Sequence, residues 1–189
     1  MKKVIFTVSA AFMLLSFAML EVSSWTSDAA HSRFGFTINH MGISDINGEF
    51  KKFDLKVTTP NADFTDATIE MNAEVNSINT GIEMRDNHLK TPDFFDAEKY
   101  PEISFKSTSV KKGKNNSYTV TGNLTMHGVT KTVSFVAVHN GTAKNRAGND
   151  VAGMKMTGSI KRSDFKVGDT SPGLSDEVKL IADIEVAKN

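Results

Sequence analysis

The chain has 189 residues, 22 Lys plus Arg balanced by 22 Asp plus Glu, and no cysteine. A neutral chain whose only basic cluster is Lys111, Lys112 and Lys114 in a Gly/Asn-rich turn lacks the phosphate-neutralising surface of a nucleic-acid binder. Without cysteine neither a disulfide nor a lipid-modified thiol is open to it.

Lys2 and Lys3 precede an uncharged apolar run, Val4 to Leu20, which Glu21 ends. Basic residues, an apolar run and then small residues form the layout of a secretory signal peptide. An uncleaved anchor is the alternative, and the run is slightly short of the about 20 apolar residues that a spanning helix needs. Residues 1–24 are therefore read as a leader, cleaved after Ala18 or after Ser24, and the protein as periplasmic or otherwise exported. About 165 remaining residues suffice for one core and are few for two, so residues 25–189 are expected to form one domain.

Beyond the leader the hydrophobic period is two. Phe34, Phe36 and Ile38 alternate with Gly35, Thr37 and Asn39, and Ala67 to Val75 alternates with Thr68 to Glu74. Tyr118 to Met126 and Val178 to Val186 repeat the pattern. Such alternation marks antiparallel strands with one apolar and one wet face. Asn47-Gly48, Lys112 to Asn116, His127-Gly128 and Gly148 to Asp150 supply turn signals. Eight strands are predicted, at 31–40, 46–58, 66–76, 102–110, 117–126, 130–140, 151–162 and 176–187. Phe50 is out of phase with Phe53, Leu55 and Val57, which predicts a bulge at Lys51-Lys52.

Between the third and fourth strands, Asn79 to Tyr100 breaks the pattern. Ile82, Arg85 and Leu89 stand at helical spacing and Pro92 ends the run, so a short helical insertion is expected over an end or side of the sheet. The fold class is all-β: an eight-stranded antiparallel, lipocalin-like β-barrel. Periodicity leaves open whether the interior is filled by side chains or holds one small ligand.

Four segments carry a resemblance. They are WTSDAAHSRFGFTINHMGISDINGEF at Trp25 to Phe50, INTGIEMRDNHLKTPDFFDAEKYPEISFKS at Ile78 to Ser107, YTVTGNLTMHGVTKTVSF at Tyr118 to Phe135, and RSDF at Arg162 to Phe165. In this order the chain resembles the YceI-like family of polyisoprenoid-binding periplasmic proteins. The family's RSDF element usually runs on into Gly, and here Lys166 follows. The resemblance implies an exported barrel that binds a long-chain amphiphile, an isoprenoid or quinone-type lipid, with no other cofactor. The alternatives are a filled barrel that serves as an interaction module, and an enzyme acting on an amphiphile.

Candidate cavity residues on the strands are Phe34, Phe36, Ile38, Ile69, Met71 and Phe105, followed by Leu124, Met126, Phe135, Met154 and Met156, with Phe165 of the RSDF element beside them. Phenyl and thioether groups line a space without fixed polar demands. Phe94 and Phe95 are either a lid or a staple holding the insertion to the wall. His31, His40, Arg85, Asp86 and His88 are candidate rim or head-group residues, since Arg pairs well with carboxylate and phosphate. For the RDNH trio the alternative is bracing of an irregular segment. None of the five histidines stands at a metal-ligating spacing from another, so no metal is expected. A hydrolase is not read here, because Ser32 and His31 are neighbours on opposite faces and no GxSxG elbow is present. The expected partner is a hydrophobic small molecule, and a membrane-embedded barrel is argued against by wet faces rich in Thr, Lys, Asn and Glu.

Overall fold

The computed structural model describes residues 22–169 and 172–189, so all but the last three residues of the segment 1–24 expected as a leader lie outside the described residues. Eleven strands form in chain order: β1 (Ser23–Ser27), β2 (Arg33–His40), β3 (Ser44–Phe50), β4 (Phe53–Thr59), β5 (Thr68–Glu74), β6 (Ile78–Asn79), β7 (Glu102–Lys112), β8 (Ser117–Met126), β9 (Val129–Lys144), β10 (Asp150–Lys161) and β11 (Leu174–Lys188). Among the described residues the one α-helix, α1 (Glu83–Leu89), interrupts the series between β6 and β7.

These strands fill eight positions around a closed antiparallel barrel. β1 pairs with β4 while β2 pairs with β3, so residues 23–40 and 44–59 form one long hairpin in which each arm is broken once. β5 and β6 continue alongside as a third broken strand, paired to β4 and β3. β7 to β11 then follow as a meander, and β11 closes the barrel against both β2 and β1. Closure leaves no long free edge to recruit another chain.

The three breaks lie side by side. The Lys51 N–H donates to Ser77 O at 3.1 Å, the Lys52 N–H to Ser77 Oγ at 3.0 Å, and the Glu74 N–H to Lys52 O at 2.9 Å. The bulge expected at Lys51-Lys52 is thus a full interruption, and its neighbours break with it. Phase explains why it must be there: Phe50, Leu55 and Val57 all point inward, which two uninterrupted residues of alternation could not achieve. The expected strand at 46–58 is therefore two elements, and β1 was not anticipated because Trp25 is its only inward apolar side chain.

The breaks divide the barrel into two levels. At one end, the connections 60–67, 113–116 and 145–149 close over Trp25, Val57, Phe64, Val120 and Val186, all buried. Trp25 packs on Phe64 with ring centroids 5.3 Å apart, and the Tyr118 hydroxyl donates to Asp63 O at 2.5 Å. The voids left in this half and at mid-barrel are only about 20 and 30 Å³. The β2–β3 turn, the insertion 80–101, the β8–β9 turn and the segment after β10 gather at the other end.

The outer face is charged. Lys106 pairs with Glu70 at 2.8 Å and Lys155 with Asp183 at 3.1 Å, both across neighbouring strands. Such pairs suit water and would be costly on a lipid-exposed barrel face. Among the described residues no helix is long and apolar enough to cross a membrane.

Candidate binding cavity

A cavity of about 730 Å³ occupies the second end of the barrel. Its wall is built by the inward residues of β2 (Phe34, Phe36, Ile38), by Ile46 and Phe50 of β3, and by Val178 and Leu180 of β11. Ile103, Leu124 and Met126 also line it, Leu124 bordering the mid-barrel void as well, and Leu89, Phe94 and Phe95 of the insertion add to the lining. The glycine at Gly48 is required by this wall: it lies opposite Phe36, and a Cβ there would come within 2.3 Å of the Phe36 ring.

The insertion is held to the barrel by aromatic packing and braced within itself by backbone bonds. The Phe95 ring meets Phe50 edge-on at 6.0 Å, and its N–H donates to Leu89 O at 3.0 Å. Phe94 meets His88 edge-on at 5.0 Å and rests over Gly168, where a Cβ would lie 2.9 Å from the ring. Both rings therefore pack the insertion onto the barrel and line the cavity.

The polar side chains of the lining are His40, Thr80, Arg85, His88, Arg162 and Asp169. Arg85 donates from Nε to Thr80 Oγ1 at 2.7 Å and from Nη2 to Thr80 O at 2.9 Å. The Thr80 hydroxyl in turn donates to Asp86 Oδ1 at 2.5 Å, and its N–H donates to the same oxygen at 2.8 Å. Asp86 is buried behind this brace and does not line the cavity, whereas Arg85, His88 and His40 do. His88 Nε2 lies 3.1 Å from Asp93 Oδ2.

The remaining sequence candidates lie elsewhere along the barrel. Met71, Phe105, Phe135 and Met156 surround the void of about 30 Å³, and Ile69 and Met154 the one of about 20 Å³. Phe165 is 1 % exposed and packs into the core beside the cavity, its carbonyl accepting from His127 Nδ1 at 3.3 Å. The reason is geometric: alternation assigns a side chain to the inner face but not to a depth along the axis.

His31 stands apart at the break between β1 and β2. Its Nδ1 is 3.0 Å from Asp28 Oδ2 and 3.9 Å from Glu185, and the Asp28 carboxylate raises its pKa. Asp28, His31 and Glu185 are the one group of three possible metal ligands among the described residues. Asp28 Oδ1 also accepts the Ala30 N–H at 2.8 Å, so the trio closes a turn. Glu185 comes from the far end of the chain, which histidine spacing alone does not reveal.

Arg162, Val167, Leu174 and Val178 line the cavity and were not singled out from sequence. Val178 was legible as an inward residue of the last strand; Arg162 was visible only as part of the RSDF element. Its side chain is 4 % exposed, wrapped by the loop that follows it.

A YceI-like domain model matches residues 25–186. A UPF0312 protein of Photorhabdus laumondii is 35% identical over 187 residues, covering 98% of this chain and 97% of that protein. Protein YceI of Salmonella arizonae is 35% identical over 184 residues, covering 95% and 94%. The crystal structure of BcnA from Burkholderia cenocepacia superposes with a TM-score of 0.75 at 28% identity, over 84% of this chain and 98% of that one. The Campylobacter jejuni YCEI protein gives 0.73 at 33% identity, over 80% and 90%. A polyisoprenoid binding domain from Saccharophagus degradans shares the fold, with a TM-score of 0.63 at 15% identity over 87% and 98%. The chain belongs to the YceI-like family.

Proposed function

We propose that this is an exported carrier or store for a long-chain isoprenoid-type amphiphile, which it holds in the cavity at the open end of the barrel. The observation that carries this reading is the cavity of about 730 Å³ with walls of phenyl and alkyl groups. Its size falls within the roughly 300–1,000 Å³ of small-molecule sites. At about 30 Å³ each, roughly 24 waters would fill it, and its apolar walls offer them few hydrogen-bond partners. Each buried ligand methylene contributes about 0.8 kcal/mol, so a few prenyl units outweigh the cost of immobilising the chain.

The action is binding rather than catalysis, and no cofactor is called for. Among the described residues the one hydroxyl in the lining is Thr80, whose proton is committed to Asp86. An acyl-transfer site would need a nucleophile with a base beside it. The family and the leader-like N-terminus support export. The likeness to the Saccharophagus polyisoprenoid binding domain is one of fold, and the contents of the cavity rest on this chain's own residues.

Equilibrium dialysis of delipidated protein against radiolabelled geranylgeraniol tests the proposal. Saturable uptake of one molecule per chain is expected. No uptake by folded protein would overturn the reading.

A further inference from the structure

The cavity stops part-way down the barrel, at a partition to which three strands contribute. Descending β2 from the mouth, Ile38, Phe36 and Phe34 line the cavity in turn, and Phe34 also borders the mid-barrel void of about 30 Å³. On β11, Val178 and Leu180 line the cavity, Leu180 borders both spaces, and Ala182 and Ile184 border the void alone. On β8, Met126 and Leu124 line the cavity, and Leu124 again borders both. The change on β7 falls between Ile103 and Phe105. Phe34, Leu124 and Leu180 are thus the side chains that separate the two spaces.

Toward the filled end, rings block the way beyond them. Phe105 and Phe135 meet edge-on at 5.6 Å. Each lies over a glycine: a Cβ on Gly122 would come within 2.5 Å of Phe105, and one on Gly158 within 2.4 Å of Phe135. Phe34 is itself held by Phe50, stacked at 5.5 Å, and by Phe53, edge-on at 6.2 Å. Interiors packed in this way leave a ligand chain no path unless a side chain is removed.

We infer that Phe34, Leu124 and Leu180 set the length of chain that the protein accepts, stopping the ligand's tail at mid-barrel. This rests on the isoprenoid-binding reading above and deepens it by naming a size class. An apolar cavity of about 150 Å³ takes up one benzene ring, so about 730 Å³ encloses roughly 25–30 carbons. That is room for about five or six prenyl units. A longer polyprenyl chain leaves its remainder outside the barrel, where further methylenes add no burial.

The test compares variants with wild type across a prenol series: geraniol, farnesol, geranylgeraniol, hexaprenol and solanesol. Each is delivered from cyclodextrin and competes with radiolabelled geranylgeraniol for delipidated protein. The ratio of variant to wild-type affinity at each length cancels differences in prenol solubility. Leu124→Ala and Leu180→Ala open the partition toward the void. Their affinity relative to wild type is expected to rise with prenol length, reaching ~10-fold tighter for solanesol, as about two more methylenes taken out of water allow. Ile46→Ala, in the cavity wall and away from the void, is expected to shift all lengths by a common factor. Leu124 is 2 % exposed and Leu180 half-buried, so Leu180→Ala carries the test if Leu124→Ala does not fold.

A relative affinity that is flat with length in the folded partition variants would overturn the inference and leave isoprenoid binding intact. The same rise in Ile46→Ala would overturn the assignment to these three residues. Failure of wild type to bind labelled geranylgeraniol would overturn both the inference and the function it rests on.

Discussion

Lys166 shows how one residue departs from its family without disturbing the fold. It follows the turn Arg162–Phe165 with φ 58° and ψ 33°, the left-handed region. There a side chain costs roughly 1–2 kcal/mol and glycine nothing. A glycine would suit that backbone without strain, and the turn is held by Lys166 N–H donating to Ser163 O and Val167 N–H to Arg162 O, both at 3.1 Å. Lys166→Gly relieves the strain against about 0.4–1 kcal/mol of added freedom in the unfolded chain. A small rise in Tm is expected by calorimetry; a fall of several degrees would show that the lysine side chain itself stabilises the loop.

At the scale of elements, the loop between β4 and β5 is tied to β7 by charge. Lys112 Nζ lies 2.8 Å from Asp63 Oδ2, and this bond, with the Thr65 N–H, lowers the Asp63 pKa from 3.8 to about 2. A carboxyl whose folded pKa is depressed adds stability that is fully present above its unfolded pKa and is lost as pH falls through the folded one. The Tm difference between wild type and Asp63→Asn is therefore expected at pH 6 and to vanish as pH approaches 2. It should also shrink in high salt, because both groups are exposed. A difference that is constant with pH would place its origin outside this pair.

Much of this level was legible in the sequence. Period-two alternation gave the eight strand positions, and the helical spacing of Ile82, Arg85 and Leu89 gave the helix within the insertion. The phase slip at Phe50 marked the break in its own strand. The aligned breaks beside it were not legible, because they follow from pairing across strands rather than from any local pattern. The cavity wall was read only in part for the same reason. Phe36 and Phe105 look alike in sequence, yet one faces the cavity and the other the mid-barrel void.

In the whole molecule the filled and hollow readings of the barrel both hold, at opposite ends. Substitutions should separate them. Val57→Phe in the filled half is expected to cost about 1–3 kcal/mol by overpacking. Val178→Phe, which projects into the cavity, should change stability by less than about 1 kcal/mol yet reduce isoprenoid uptake. Denaturant unfolding beside the dialysis assay checks both; equal costs at the two sites would deny the division.

The chain enters and leaves at the filled end, where the Asn189 N–H donates to Ser24 O at 2.9 Å. Removal of residues 1–18 or 1–24 leaves Trp25 to Ser27 paired with β11, so either cleavage keeps the barrel closed. If the leader is removed as expected, the intact mass of protein isolated from its native source should match one of those two forms. A full-length mass would contradict leader removal.

The account stands or falls on the contents of the cavity. Native mass spectrometry of the protein purified from its native source measures them directly. One long-chain amphiphile per chain is predicted, released by organic solvent and largely missing from Val178→Phe. A bare protein mass, unchanged after incubation with added isoprenoid alcohol or phosphate, would contradict it.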